Sequence, residues 1–423
     1  MTNDGPVMPS EHDAGMSAVS SALGGSTRVG LFDKCRAMTE RVAFARAEDA
    51  YCYFRVIESS QDPEVVVDGR TLVMLGSNNY LGLTNHPKVK EAAVDAVRRF
   101  GTGCAGSRLL NGTLSLHEAL EDKLARFIRK AAAVTFSTGF QVNLGTISSL
   151  LDRGDAVYLD KQDHACIIDG ARLSFARIRK FEHNDPTELR RLIAADAEMR
   201  GGRLIVVDGV FSMEGDIAPL PQIVELAERY GAIMMVDDAH ASGVLGKHGR
   251  GTVDHFSLHG RVDIQVGTLS KALGSLGGYV CGRRNLIDFL YHRARPFLFS
   301  TSHPPAVAAS CLAAFAVLQE EPIWTERLWE NTRFFKSGLQ RLGFDTGVSE
   351  TPITPIIVGK GDLAMRFSDE LFAEGVFAQG IGYPTVPEAR SRVRTIVTAT
   401  HSREQLQFAL DVLERVGRRL GII

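Results

Sequence analysis

The sequence predicts an α/β fold built on a mostly parallel sheet, and two observations carry that prediction. Short apolar runs, "AVYLD", "RLIVVD", "AIMMVDD", "VDIQVG" and "GYVCG", recur through the middle of the chain. Their unbroken apolar character is that of strands covered on both faces. Between them lie segments of helical period such as "LPQIVELAERYG". Strands that alternate with helices imply crossover connections, and hence parallel pairing.

The elements follow in order. Residues 1–30 are polar and rich in glycine and serine, without a basic start and apolar core, so a disordered leader is expected and a secretory signal is not. Residues 31–80 would form an N-terminal arm. In "HPKVKEAAVDAVRRFG" the apolar positions Val89, Ala92, Ala93, Ala96, Val97 and Phe100 make one helical face, and Leu116, Leu120, Leu124 and Phe127 repeat the pattern. A large α/β domain is expected over 81–305. After Pro304-Pro305 helical segments dominate, with short strands near "TPIIVG" and "VRTIVTAT". A last helix is opened by the capping box Ser402 to Gln405. Residues 306–423 therefore read as a C-terminal α+β domain.

Bulk composition narrows the function. The chain has 423 residues, 44% hydrophobic, with a formal net charge of -2. That balance argues against a nucleic-acid partner, which would need a basic surface. No apolar stretch reaches the roughly 18 residues that span a bilayer. The six cysteines form no CxxC, which suits a reduced, cytoplasmic compartment, and no metal-ligand spacing or P-loop is present.

Ligands of parallel sheets gather at the carboxyl ends of strands. Those ends carry Asp160 followed by His164, Asp208 followed by Ser212, Asp237 followed by His240, Thr268 with Ser270 and Lys271, and Ser137-Thr138-Gly139 before a helix at Phe140. Singly, each is ordinary: a solvated lysine, a capping aspartate, a satisfied histidine. Together they meet the needs of pyridoxal 5'-phosphate. A helix N-terminus suits the phosphate, a desolvated lysine can form an imine, and a strand-end carboxylate can keep a pyridine nitrogen protonated. "GTGCAG" at Gly101–Gly106 fits the dinucleotide pattern but follows a helix, so it is set aside.

The runs "LGSNNYLGL", "GSRLLNGT", "FSTGFQVNLG", "DHACIIDG", "DGVFSMEGDIAPL", "VDDAHASGVLG", "GTLSKALGSLGG" and "RTIVTATH" cover nearly the whole folded chain. By them the chain resembles the α-oxoamine synthases, fold-type-I, aspartate aminotransferase-like enzymes that use pyridoxal phosphate to condense an amino acid with an acyl-CoA. The resemblance implies that Lys271 carries the cofactor and shuttles the α-proton. Asp237 would pair with the ring nitrogen, His240 with the phenolic oxygen, and His164 would stack on the ring. Thr138, Gly139, Phe140, Ser212, Thr268 and Ser270 would complete the cofactor site. Ser300 and Thr301 would reach the neighbouring subunit's phosphate in a homodimer with shared active sites. Asn79 and Arg394 would meet the substrate.

Within the family, "CAGSRLLNGTLSLHEALE" and "HACIIDGARLS" are most similar to bacterial serine palmitoyltransferases. The expected reaction is then L-serine with palmitoyl-CoA, or an acyl-carrier protein in its place, giving 3-ketodihydrosphingosine for sphingolipid synthesis. A long-chain product leaves room for loose membrane association. Glycine C-acetyltransferase and 8-amino-7-oxononanoate synthase are the alternatives, and an aminotransferase on the same fold is a more remote one.

Overall fold

The computed structural model of the protein describes residues 30, 32–47 and 51–423; apart from Gly30, the expected leader lies outside them. Its centre is a sheet of seven strands: β3 (Ala132–Phe136), β4 (Ala156–Asp160), β5 (Arg177–Phe181), β6 (Arg203–Asp208), β7 (Ile233–Asp237), β8 (Ile264–Thr268) and β9 (Gly278–Gly282). They lie in the order β3-β9-β8-β7-β6-β4-β5. Strands β5, β4, β6, β7 and β8 pair in parallel, whereas β9 runs antiparallel to both β8 and β3.

Alternation along the strands divides the core. Val157, Leu159, Leu204, Val206 and Val266 meet Val142, Ile147, Ile167 and Ile287 on one face. Tyr158, Ile205, Val207, Met234 and Val236 meet Leu189, Ile193, Ile223 and Val224 on the other. Each such side chain contributes roughly 1.5–3 kcal/mol on leaving water. Strand β5 differs. Its sequence, RIRKF, is largely solvent-facing because it is an edge, and charge there discourages pairing with other chains.

Two smaller sheets flank this core. The hairpin of β1 (Glu64–Val67) and β2 (Arg70–Met74) lies within the segment expected to be an arm. Asp68 and Gly69 close it, both at positive φ, as the tight hairpin turn requires. The C-terminal β11 (Val376–Phe377) joins β2 in parallel. The second sheet orders β10 (Ile353–Ile357), β13 (Arg392–Ile396) and β12 (Gln379–Ile381) antiparallel. The final helix, Arg403–Arg419, begins with the expected box: Ser402 Oγ accepts Gln405 N–H, and Gln405 Oε1 accepts Ser402 N–H. The apolar helix Pro305–Glu320 packs into the core; among the described residues no single helix is long and apolar enough to cross a membrane.

One consequence is testable. Ile205 is fully buried between β6 and the helix Leu220–Tyr230. Ile205→Ala should cost about 2–5 kcal/mol, read as a lowered urea midpoint with an unchanged slope.

Candidate active site

Parallel register makes the site. Asp208 at the end of β6 is the direct partner of Asp237 at the end of β7. The ends of β3, β4 and β8 open onto the same edge, and the loops that leave them close a cleft of about 260 Å³. Thr138, Gly139 and Phe140 enter it from β3, His164 from β4, Ser212 from the turn after β6, Ala239 and His240 from β7, and Thr268, Ser270 and Lys271 from β8. A roomier cleft of about 410 Å³ lies at the opposite ends of β6, β7 and β8. It is lined chiefly by Leu150, Leu151, Ile233, Ile264 and Phe289 and offers no nucleophile. Chemistry, not size, selects the smaller one.

Electrostatics tunes each group. Burial pulls the Lys271 amine down to about 8, against the opposing pull of Asp237 and Asp208. A fraction of it is therefore the neutral, nucleophilic form near neutrality. Burial pushes the Asp208 carboxyl up, reinforced by Asp237 beside it. Asp237 is held from two sides: Oδ2 accepts Asn143 Nδ2–H at 2.6 Å and Oδ1 accepts the Ala239 N–H at 2.9 Å. Burial keeps His240 neutral, with Lys271 and Arg394 acting in the same direction. Its Nδ1 lies 2.7 Å from the Tyr80 hydroxyl. His164 is also lowered by burial, and its backbone N–H donates to Asp208 Oδ2 at 2.8 Å.

These residues fit pyridoxal 5'-phosphate. Thr138 caps the helix Gly139–Leu150 by accepting the Gln141 N–H. Among the described residues no acceptor faces the N–H groups of Gly139 and Phe140, the arrangement an anion requires. A Cβ at Gly139 would come within 3.1 Å of Thr268 Oγ1, so glycine keeps that floor open. Thr268 Oγ1 and Ser270 Oγ, 2.7 Å apart, add hydroxyls beside it.

Four expected residues lie outside the cleft lining. Ser300 Oγ accepts Gln141 Nε2–H, and Thr301 bridges to Ser107, so both border a small neighbouring cavity. Arg394 is buried one layer behind, its Nε donating to the Ser212 carbonyl at 2.6 Å and Nη2 reaching Asn78 Oδ1 at 3.3 Å. No carboxylate pairs with it among the described residues, whereas Arg392, two residues earlier, pairs with Glu214. Asn79 is already engaged. Its carboxamide is consumed by Gln61 O and Thr84, leaving its neighbour Asn78 to face Arg394. Asn143 and Cys166 were not singled out from sequence, nor was Asp208 given a role. Asn143 stands four residues after Gly139, hence on the same helix face, which was the available signal.

Behind the cleft His183 bridges Asp160 Oδ1 at 2.9 Å and Asp216 Oδ2 at 2.8 Å. Asp216 ends the turn that carries Ser212, whose carbonyl holds Arg394. Burial lowers the His183 pKa, but the two carboxylates outweigh it and lift it to about 9.

Residues 70–413 match the family described as aminotransferase class I and II. An 8-amino-7-oxononanoate synthase of Symbiobacterium thermophilum is 55% identical over 373 residues, covering 88% of this chain and 95% of that protein. Another, from Thermoanaerobacter pseudethanolicus, is 52% identical over 384 residues, covering 91% of this chain and 97% of the relative. Serine palmitoyltransferase from S. paucimobilis, solved with a bound PLP–myriocin aldimine, superposes with a TM-score of 0.90 at 32% identity, covering 93% of this chain and 100% of that one. The architecture is thus the fold-type-I, aspartate aminotransferase-like one expected from sequence.

The same comparisons overturn the expectation of a serine palmitoyltransferase serving sphingolipid synthesis. Identity above 50% is to the oxononanoate synthases, and the palmitoyltransferase is a more distant neighbour. Backbone likeness reports a scaffold that both kinds share, and scaffold does not carry substrate choice.

A pH dependence follows from His183. Its folded pKa of about 9 lies above its ordinary 6.5. The clamp therefore stabilises fully below pH ~6.5 and is lost as pH rises through ~9. His183→Gln should flatten the fall in melting temperature across that window; an unchanged fall would remove the clamp.

Proposed function

From the premise that this chain belongs to the aminotransferase class I and II family, and within it to the α-oxoamine synthases, we propose that it acts as an 8-amino-7-oxononanoate synthase. L-Alanine would condense with a pimeloyl thioester, releasing the thiol and carbon dioxide. The chain is a pyridoxal phosphate-dependent acyltransferase that takes an amino acid and an acyl thioester. The observation that carries the finer reading is the 55% identity to an oxononanoate synthase across 88% of the chain.

When bound, pyridoxal 5'-phosphate supplies an aldehyde that captures amines and a ring that draws electrons from the α-carbon. The residues of this chain supply the rest. Lys271, partly neutral near pH 7 because desolvation lowers its pKa to about 8, is the covalent anchor and then the base for the α-proton. Asp237, fixed by Asn143 and Ala239, keeps a proton on the ring nitrogen. Gly139 and Phe140 N–H groups, with the Thr268 and Ser270 hydroxyls, hold the phosphate. His240 and Ser212 serve the phenolic oxygen, and His164 covers the ring. Arg394, a buried guanidinium with no carboxylate partner among the described residues, holds the amino-acid carboxylate. The ends of β3, β4, β6, β7 and β8 close around this chemistry and limit water.

A homodimer with shared sites belongs to the same proposal. Ser300 and Thr301 lie at the surface beside Phe299, Leu109 and Leu110, which are 74%, 58% and 81% exposed, and such an apolar patch suits a second subunit. A reduced, cytoplasmic setting is supported by free thiols at all six cysteines.

Purified protein with pyridoxal phosphate should be offered L-alanine, glycine or L-serine with pimeloyl, acetyl or palmitoyl thioesters. Turnover, read as thiol and carbon dioxide, is expected with L-alanine and the pimeloyl thioester. Turnover confined to glycine and acetyl-CoA would replace this reading with the acetyltransferase alternative. A stoichiometric conversion of the cofactor by the amino acid alone would indicate transamination instead. Arg394→Ala should raise KM for the amino acid about 10- to 100-fold, as loss of a charged hydrogen-bonded pair does, with KM for the thioester little changed.

A further inference from the structure

A run of hydrogen bonds beneath the cleft connects Asp237 to His164. Asn143 is 1% exposed, and its Nδ2 lies 2.6 Å from Asp237 Oδ2 and 3.2 Å from Cys166 Sγ. The amide has one sensible orientation, because turning it would set Oδ1 against a carboxylate oxygen. Its Oδ1 has no partner. Cys166 Sγ thus accepts a hydrogen bond from Asn143, and its own S–H is left to donate.

The acceptor is His164 Nδ1, 2.9 Å from Sγ. The same nitrogen receives the Cys166 backbone N–H at 3.3 Å. Two donors on Nδ1 require that it carry no proton. A neutral imidazole then keeps its proton on Nε2. Among the described residues no protein group hydrogen-bonds Nε2, and the ring borders the cleft with Phe140 edge-on at 6.4 Å.

We propose that Cys166 is a positioning residue: linked to Asp237 through Asn143, its thiol locks His164 as the Nε2–H tautomer, so that the imidazole presents a single N–H donor to an anionic substrate group. The proposal rests on reading the cleft as the amino-acid site. Its chemistry is that of a hydrogen bond to the neutral form of a base, which disfavours protonation. The other charged or titratable groups facing His164 are Asp237 from β7, Lys271 from the turn after β8, His240, and Asp208 from β6, which holds its backbone N–H. Of these, Asp237 favours the imidazolium and Lys271 opposes it. The thiol adds a second donor to the backbone N–H already on Nδ1 and so strengthens the preference for the proton on Nε2.

The test compares the holoenzyme with Cys166→Ser, which keeps a donor, Cys166→Val, which fills the volume without one, and Cys166→Ala. Two quantities are read: the acid limb of kcat/KM, and the His164 tautomer from long-range nitrogen–proton NMR of histidine-labelled protein, assigned with His164→Gln. The Val and Ala variants should move the acid limb to higher pH by about one unit and mix the tautomers, while Ser restores both. An unmoved limb with Nε2–H intact in Cys166→Val would overturn the proposal, as would a Ser variant that behaves like Ala. Should the wild-type protein turn over no amino acid, the NMR comparison still decides the tautomer, so failure of the functional reading is separately visible.

Discussion

A lysine amine held out of water beside two carboxylates is the constraint on which this structure turns. Lys271 cannot remain fully protonated in a cleft walled by strand ends, and its pKa near 8 records the burial. Asp208 and Asp237 stand side by side because β6 and β7 pair in register. Like charges so placed repel, and the conflict is relieved unequally. Asp237 receives two N–H donors, while the raised Asp208 carboxyl holds a backbone N–H. A raised Asp208 carboxyl, a lowered Lys271 amine and two imidazoles that burial pushes toward the neutral form are the outcome. A scaffold that placed these ends even one residue out of register would scatter them to opposite faces of the sheet.

The proposed substrate end, one layer behind the cleft lining, depends on a second asymmetry. Arg392 and Arg394 leave β13 in the same direction, as alternate residues of a strand do. Glu214 neutralises the first, and no carboxylate among the described residues neutralises the second. The turn between β6 and the helix Leu220–Tyr230 does both jobs, giving Glu214 to Arg392 and the Ser212 carbonyl to Arg394. His183 braces that turn from behind through Asp216. A guanidinium without a carboxylate partner is costly to bury, which supports the proposal that Arg394 holds an anion.

Much of this was legible in the sequence because parallel strands announce themselves as apolar runs and their ends hold the chemistry. Lys271, Asp237, His240 and His164 could be placed by that rule alone. Strand β5 was not visible, since RIRKF is an edge whose charges hide the period. Asn143, Cys166 and the spent carboxamide of Asn79 depend on how helices and loops fold back on the cleft, which no local pattern reports. The branch of the family was misread for a related reason. Of the runs that suggested a palmitoyltransferase, one brings His164 and Cys166 to the cleft and the other, Cys104–Glu121, lies outside its lining; scaffold of this kind does not carry substrate choice.

The central claim is that Lys271 is the covalent anchor, and it has a direct test. Borohydride reduction of the cofactor-loaded protein fixes any imine as a stable amine, after which peptide mass spectrometry locates the label. The account predicts a single pyridoxyl adduct on Lys271, at close to one per chain. A label on another lysine, or cofactor retained with Lys271 unmodified, would contradict it.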